Sequence, residues 1–491
     1  MKFGRRTLPC LLAALALVWA PGAMAGDDDE DDNGGRYDAR RATSKNMRLV
    51  GFNDLQGRSA YQPLTEQQGN RWIAYVGHHG GKAVNPLTGK EEPNGTSIVD
   101  VTNPAKPVYL HHIPGPPGEG EAGGAQMVRM CPGKTGTLGT TGKFYLLRSN
   151  GTVGHQVFDV TDPAKPVLVS TPIDQQTDTH KNWWECDTGI AYLVGAHPKW
   201  RASRMTQIYD LSDPANPRFI RNFGLPSQQP GATGTVEENL HGPYVLGNRV
   251  YFGYGTARNG ILQIVDRDKL FNDPTLTPDT RESPTVQQLL YPQISRYDQG
   301  SINGAHTVFP IMGMKPPPFK DQTRGNTRNI IALTNESTAN ECREGPQLTY
   351  FVDITEENEP FGVGSYKVDP ASGGSVDFCK RGGRFGAHSS DERITPFYYG
   401  KVLWIAYFNA GIRAVDIRDP WSPKELGYYI PAITAKTAER CVTTNGVSTC
   451  KTAIQTNNLD TDNRGYVYAV DRANTGMHIV ELKGKARDIM K

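Results

Sequence analysis

Beyond its first 25 residues, the 491-residue chain has no run approaching the ~18 consecutive apolar residues that a membrane-crossing helix needs, so no membrane span is expected. Blocks of Lys or Arg are also missing. The 53 basic residues are scattered among 51 acidic ones, without the concentrated positive surface that phosphate backbones require, which argues against nucleic acid as a partner. Neither a serine-hydrolase elbow nor a zinc-protease helix occurs. Long helices are disfavoured by the 53 Gly and 35 Pro that punctuate the chain throughout. What is present is 37% hydrophobic residues, enough for a large core divided among short elements.

The N terminus has the pattern of a processing signal. Lys2, Arg5 and Arg6 precede a short apolar stretch at 8–20, and Ala23-Met24-Ala25 supplies small residues for cleavage, so residues 1–25 read as an export signal. A periplasmic or secreted location follows. The Arg5-Arg6 pair leaves the twin-arginine route open, although Gly4 and Pro9 depart from that pattern. Cys10 lacks the approach sequence of a lipid-anchored protein. Residues 27–32 are six consecutive acids followed by Asn33-Gly34-Gly35; they cannot bury apolar area, and 26–45 reads as a solvated, disordered leader, with weak calcium binding as the alternative.

From Leu49 onward one phrase recurs: an apolar strand ending in an acid, then a proline-bounded turn. Its clearest copies are Thr96-Ser-Ile-Val-Asp100 with Asn103-Pro104-Ala-Lys-Pro107, His155-Gln-Val-Phe-Asp159 with Asp162-Pro163-Ala-Lys-Pro166, and Thr206-Gln-Ile-Tyr-Asp210 with Asp213-Pro214-Ala-Asn-Pro217. Looser copies end at Asp266, Asp353, Asp416 and Glu481, making seven. A β-rich run precedes each copy and another follows all but the last. Short strands repeating in this way imply an all-β fold, a seven-bladed β-propeller of four-stranded blades over residues 46–481, with 482–491 as a tail. The seventh unit runs out of chain after Glu481, and residues 47–51 have outer-strand character, so the N-terminal strand is expected to complete the last blade and close the ring. The recurring phrase resembles the LVIVD-repeat family of bacterial propellers; the resemblance implies the fold and is nearly silent on activity.

Six cysteines remain after the signal, an even number suited to an oxidising compartment. Cys441 and Cys450 are symmetric about Asn445-Gly446, a two-residue hairpin signal, and should pair across the ladder. Propeller topology also places Cys342 with Cys379, and Cys131 with Cys186. No free thiol would then be left for nucleophilic chemistry.

The loops leading into the innermost strands are long and unlike one another, which marks the working face. At their ends stand His180, His241, His306 and His388, in equivalent places in blades three to six. Gln126 and Gln455 occupy that place in blades two and seven, and Tyr61 in blade one. Innermost strands line a propeller's channel, so these imidazoles should converge at its mouth. Neutral imidazole is the commonest transition-metal ligand, and rings from separate rigid strands can hold iron or copper, with zinc or manganese as alternatives. Asp178, Glu237, Glu238, Asp391 and Glu392 are candidates for orienting the rings, and His78, His79 and His197 for a further ligand or substrate contact. Trp183, Trp184 and Trp200 are candidates for walling the mouth.

Two motifs of other kinds are discounted: Gly118-Glu-Gly-Glu-Ala-Gly123 has dinucleotide-site spacing but no following helix, and residues 460–465 place Arg464 where a calcium loop needs oxygen. Two functions stay open. One is a metal-dependent oxidoreductase acting on a small molecule. The other is a non-catalytic propeller that binds a protein or glycan of the cell envelope through the same loops, its histidines merely bonding the next blade's backbone.

Overall fold

The computed structural model describes residues 37–491 except 322 and 324; the stretch expected to be an export signal and the acidic run lie outside the described residues. Seven four-stranded antiparallel blades form a β-propeller. Blade one comprises Ala60–Gln68, Arg71–His79, Gly95–Asp100 and Val108–Pro114 from inside to outside. Blades two to six repeat that order, starting at Val128–Pro132, Asn182–Trp184, Leu240–Leu246, Thr307–Met314 and Ser389–Ser390. Blade seven takes Thr456–Thr461, Val467–Asp471 and Gly476–Leu482 from the C-terminal end, and Met47–Asn53 from the N-terminal end pairs antiparallel with Gly476–Leu482. The ring is thus closed by hydrogen bonds between the two ends of the chain.

Burial follows position in the blade. The second strands are apolar on both faces because they pack between neighbouring blades: Ile73, Ala74, Tyr75 and Val76 are all fully buried. Outermost strands are half solvated, with Val108, Val167 and Phe361 more than 50% exposed. Each blade carries a register shift between its third and fourth strands, at Ile98/Val99 in blade one and Ala414/Val415 in blade six, for example. Such bulges add right-handed twist, which a radially packed sheet needs.

The repeated acid has a local cause. Asp100, Asp159 and Asp210 each accept from the backbone N–H two residues on, in Thr102, Thr161 and Ser212, at 2.8–2.9 Å, and so turn the chain at the strand end. A second such turn follows at once, with Asn103, Asp162 and Asp213 accepting from Ala105, Ala164 and Ala215. Strand end and proline-bounded turn are one device, used around the ring.

Two regions differ from the sequence reading. Thr43–Lys45, inside the stretch expected as a disordered leader, adds a fifth strand to blade six by pairing with Lys424–Ile430. The tail coils into short helices at Gly484–Arg487 and Asp488–Met490, where the Met490 carbonyl accepts from Lys401 Nζ. All three cysteine pairs are present: Cys131–Cys186 joins blades two and three, Cys342–Cys379 links two loops of the upper face, and Cys441–Cys450 bridges a surface hairpin. That hairpin turns at Asn445 and Gly446 with φ of 51° and 78°, as a two-residue loop of this type demands. Among the described residues no helix is long and apolar enough to cross a membrane.

Candidate metal centre

The seven equivalent positions all fall at the upper ends of the innermost strands, and five of them form a closed circle of rings. Going round, the centroids of Tyr61, His180, His241, His306 and His388 are separated by 5.6, 5.2, 3.4 and 4.8 Å, and His388 returns to Tyr61 at 5.5 Å. All five side chains are buried. The chain reaches this spot through close backbone approaches. In Gly304-Ala305-His306 a side chain on Gly304 would start 1.7 Å from the Thr256 carbonyl oxygen, and Gly386, two residues before His388, has φ of +143°. Glycine is needed at both places to bring the next imidazole inward.

Hydrogen bonds fix which nitrogen faces the channel. His388 Nδ1 lies 2.6 Å from the Asn457 carbonyl oxygen, and His241 Nδ1 bonds the His306 carbonyl. A carbonyl only accepts, so Nδ1 carries the proton in both rings and Nε2 keeps its lone pair. The Nε2 atoms of His241, His306 and His388 have no hydrogen-bond partner, although all are buried. His306 Nδ1 is 3.1 Å from Thr307 Oγ1. Burial holds the imidazoles of His180, His241 and His388 well below the ordinary value and lowers His306 to about 4, so the rings are neutral at pH 7.

Facing these lone pairs is a residue that the sequence reading missed. Glu336 Oε2 lies 3.2 Å from His306 Nε2, and Oε1 lies 3.5 Å from His388 Nε2. Burial alone would raise this carboxyl, but His306 and His388, protonated in the acid range where it titrates, together with Arg384 and Arg472 overcome that and hold the group well below the usual carboxylate range. At His388, whose Nδ1 carries the proton, a carboxylate oxygen faces an imidazole lone pair, a contact that a cation between them would relieve; at His306, Thr307 Oγ1 can donate to Nδ1, which lets an Nε2–H face the carboxylate instead. Each carboxylate–imidazole separation is short enough for both atoms to sit about 2.1 Å from a shared ion. The ligand atoms of His306, Glu336 and His388 all lie within 4.8 Å of one another. Two imidazoles and one carboxylate form the donor set of non-haem iron sites, which leave further positions open.

Glu336 follows the second strand of blade five, Arg328–Thr334. Because a second strand runs back up to the face from which the first descends, its exit also reaches the channel mouth. The same step places His79, Phe408 and Arg472 there. Arg384 Nη1 donates to Glu336 Oε1 at 2.8 Å and Arg472 Nη1 stands 3.5 Å from the same oxygen.

The other candidates sort by contact. His180 Nε2 lies 3.4 Å from the Tyr61 hydroxyl, outside the three-ligand group, and its Nδ1 has no hydrogen-bond partner. His79 accepts at Nε2 from Arg472 at 3.0 Å, with Nδ1 3.3 Å from Ser59 Oγ. His78 bonds Ser97, and His197 accepts from the Lys199 N–H on the flank of blade three. Gln455 accepts from the Arg384 N–H and so helps to place that arginine, whereas Gln126 donates to the Glu121 carbonyl. None of the five acids named from sequence touches an imidazole of the circle. Glu237 pairs with Arg296, Glu238 with Arg258, and Asp391 accepts from the Trp404 N–H. Asp178 is half-exposed at φ of +56°. Glu392 is buried between Lys181 and Arg129. Backbone carbonyls orient the rings instead. Trp183 stacks on Tyr244 and under Arg129, Trp184 is buried with its indole N–H on the Gly189 carbonyl, and Trp200 donates to the Glu282 carbonyl.

The LVIVD repeat family model matches residues 398–430, which hold the second, third and fourth strands of blade six. Residues 398–430 are an LVIVD repeat. The LVIVD repeat contains none of the ligand candidates, since His388 precedes it, so the match speaks to the blade and not to the centre. No curated protein matches the chain. Two crystal structures of Sqt1 from Chaetomium thermophilum align with TM-scores of 0.43 and 0.44 at 8% identity, covering 89% of this chain and 99% and 98% of theirs. Similarity of that degree adds nothing to the LVIVD-repeat assignment or to the site.

Proposed function

We propose that the protein is an exported metal-dependent oxidoreductase whose single transition-metal ion is bound by His306, His388 and Glu336, with His241 as the adjoining ring. One observation carries this reading: the buried Glu336 carboxylate lies between the Nε2 atoms of His306 and His388, an arrangement that a bound cation would stabilise. The donor set favours iron, with copper, zinc and manganese following, and its open positions would admit a small-molecule substrate. Three disulfides support export to an oxidising compartment, periplasmic or extracellular.

Metal analysis of protein purified without an affinity tag tests the proposal. About one equivalent of iron or copper per chain, lost in His306→Ala and His388→Ala variants, is the expected result. Metal-free protein that keeps its fold and gains no stability from any of the four ions would overturn it and leave the non-catalytic envelope propeller standing.

A further inference from the structure

A cleft of about 700 Å³ is lined by His79 and Arg472, which pack on Tyr61, and by Arg384, which bonds Glu336. Its volume falls in the range of small-molecule sites, yet its lining is polar. Three arginines, Arg384, Arg440 and Arg472, project into it. Their charge is balanced only in part, with Asp471 attracting Arg440 and Glu344 attracting Arg384. Arg384 and Arg472 share the single carboxylate of Glu336, and the bond that Arg440 makes is to the Arg472 carbonyl. Of the remaining charged groups in the lining, Lys82 is paired with Glu91 and Glu121 with Arg204, which leaves the exposed Glu119 at the rim.

The guanidiniums are also held in place before any ligand arrives. Arg472 lies over the Tyr61 ring at 5.4 Å, and Arg384 over Phe408 at 5.4 Å. Arg440 sits beside Cys441 in the disulfide-bridged hairpin, which is docked to the neighbouring loop by Asn340 and Arg343. Burial, together with repulsion from Arg472 and Arg384, draws Arg440 below the ordinary guanidinium value, with Asp471 working the other way. Rigid guanidinium forks with too few carboxylates are built to receive planar or tetrahedral oxyanions.

We infer that the cleft binds a small organic oxyanion, a carboxylate or a phosphate monoester, through Arg440 and Arg472, and so delivers an anionic substrate to the centre below. The inference rests on the metal reading for what becomes of the bound anion, and not for its binding.

Calorimetric titration of the full-length protein with succinate, with glycerol 1-phosphate and with neutral succinamide tests it. The expected result is saturable binding of at least one anion, no binding of succinamide, affinity about tenfold or more weaker in Arg440→Gln, and most of it kept in Arg440→Lys. Whichever anion binds more tightly identifies the headgroup. Two results would overturn the inference: no saturable binding of either anion below about 10 mM, or an Arg440→Gln variant, folded by its melting curve, that binds as tightly as the parent. Metal content measured on the same batches separates the two readings. Metal-loaded protein that ignores both anions sinks this inference alone, and metal-free protein that binds them through Arg440 sinks only the metal proposal.

Discussion

Glu336 and His306 flank the same pair of residues in the blade-five hairpin. Thr307 and Thr334 are register partners, His306 stands just before the first and Glu336 two residues after the second, and the His306 N–H donates to the Thr334 carbonyl. One hairpin therefore fixes both the imidazole and the carboxylate, with Oε2 and Nε2 3.2 Å apart. Blade six has to supply only His388. A centre built mainly on one rigid hairpin keeps its geometry when neighbouring blades shift slightly.

Replacing Glu336 by Gln should therefore cost more metal affinity than the 10–100-fold typical of losing an outer partner of a metal ligand. The carboxamide oxygen can still accept from Arg384 but no longer balances the charge of Arg384 and Arg472, so the melting temperature should fall as well. Metal stoichiometry and calorimetry on Glu336→Gln check both halves. A Glu336→Gln variant with unaltered metal content would remove the carboxylate from the ligand set.

His180→Ala provides the contrast. Its ring belongs to the circle but not to the three-ligand group, so metal should be retained at close to parental stoichiometry, against loss in His388→Ala. Elemental analysis of the pair distinguishes a centre displaced towards blades five and six from one shared by all four histidines.

Acid should unfold the protein by way of its buried imidazoles remote from the centre. Burial lowers His155 and His478 to about 4, while in the unfolded chain each would return to the ordinary 6.5. Between those values the unfolded state binds protons that the folded state refuses, so stability is full above pH 6.5 and falls as pH drops towards 4. The loss is on the order of 3 kcal/mol per ring. His155 donates from Nε2 to the Val194 carbonyl at 3.0 Å, a bond that Gln can replace. Calorimetric melts from pH 8 to pH 4 should show a shallower decline in His155→Gln than in the parent.

The disulfides should not be equivalent. Cys131–Cys186 ties adjacent blades across 55 residues, and loop-closure entropy assigns it about 4 kcal/mol. Cys441–Cys450 closes only nine residues in an exposed hairpin that can open by itself. Denaturation of Cys131→Ala/Cys186→Ala should show much the larger loss, and equal effects would contradict the assignment of the first bridge to the blade interface.

Breaking the buried cluster beneath the rings should be costly for a different reason. Glu392 lies between Lys181 and Arg129, and Lys181 is almost wholly buried. Glu392→Ala leaves an ammonium without a counter-charge, a loss of about 3–5 kcal/mol, whereas Glu392→Gln keeps acceptors for both neighbours and should lose less. Urea titration of the two variants measures the difference.

The blades were readable because the strand-ending acid recurs seven times, five of them with a proline-bounded turn after it. The convergence of His180, His241, His306 and His388 was readable because equivalent residues of a repeat lie on a circle. Glu336 was not, for a geometric reason: the repeated histidines mark only the residues entering the first strand, while the antiparallel return brings the residues leaving the second strand to the same face. Thr334-Asn335-Glu336 was there to be seen once both ends of the hairpin were considered. The acids chosen instead, such as Glu237 and Glu238, precede a first strand, where the backbone is still outside the channel mouth and their side chains meet Arg296 and Arg258.

Met47–Asn53 and Gly476–Leu482 are neighbours in space at opposite limits of the polypeptide. Met47–Asn53 is synthesised long before its partner and must wait for it, and until then blade seven lacks both of its outer strands. Deleting Gly476–Leu482 would leave the circle open at that seam. Closure of the toroid is consequently coupled to synthesis of that one late strand.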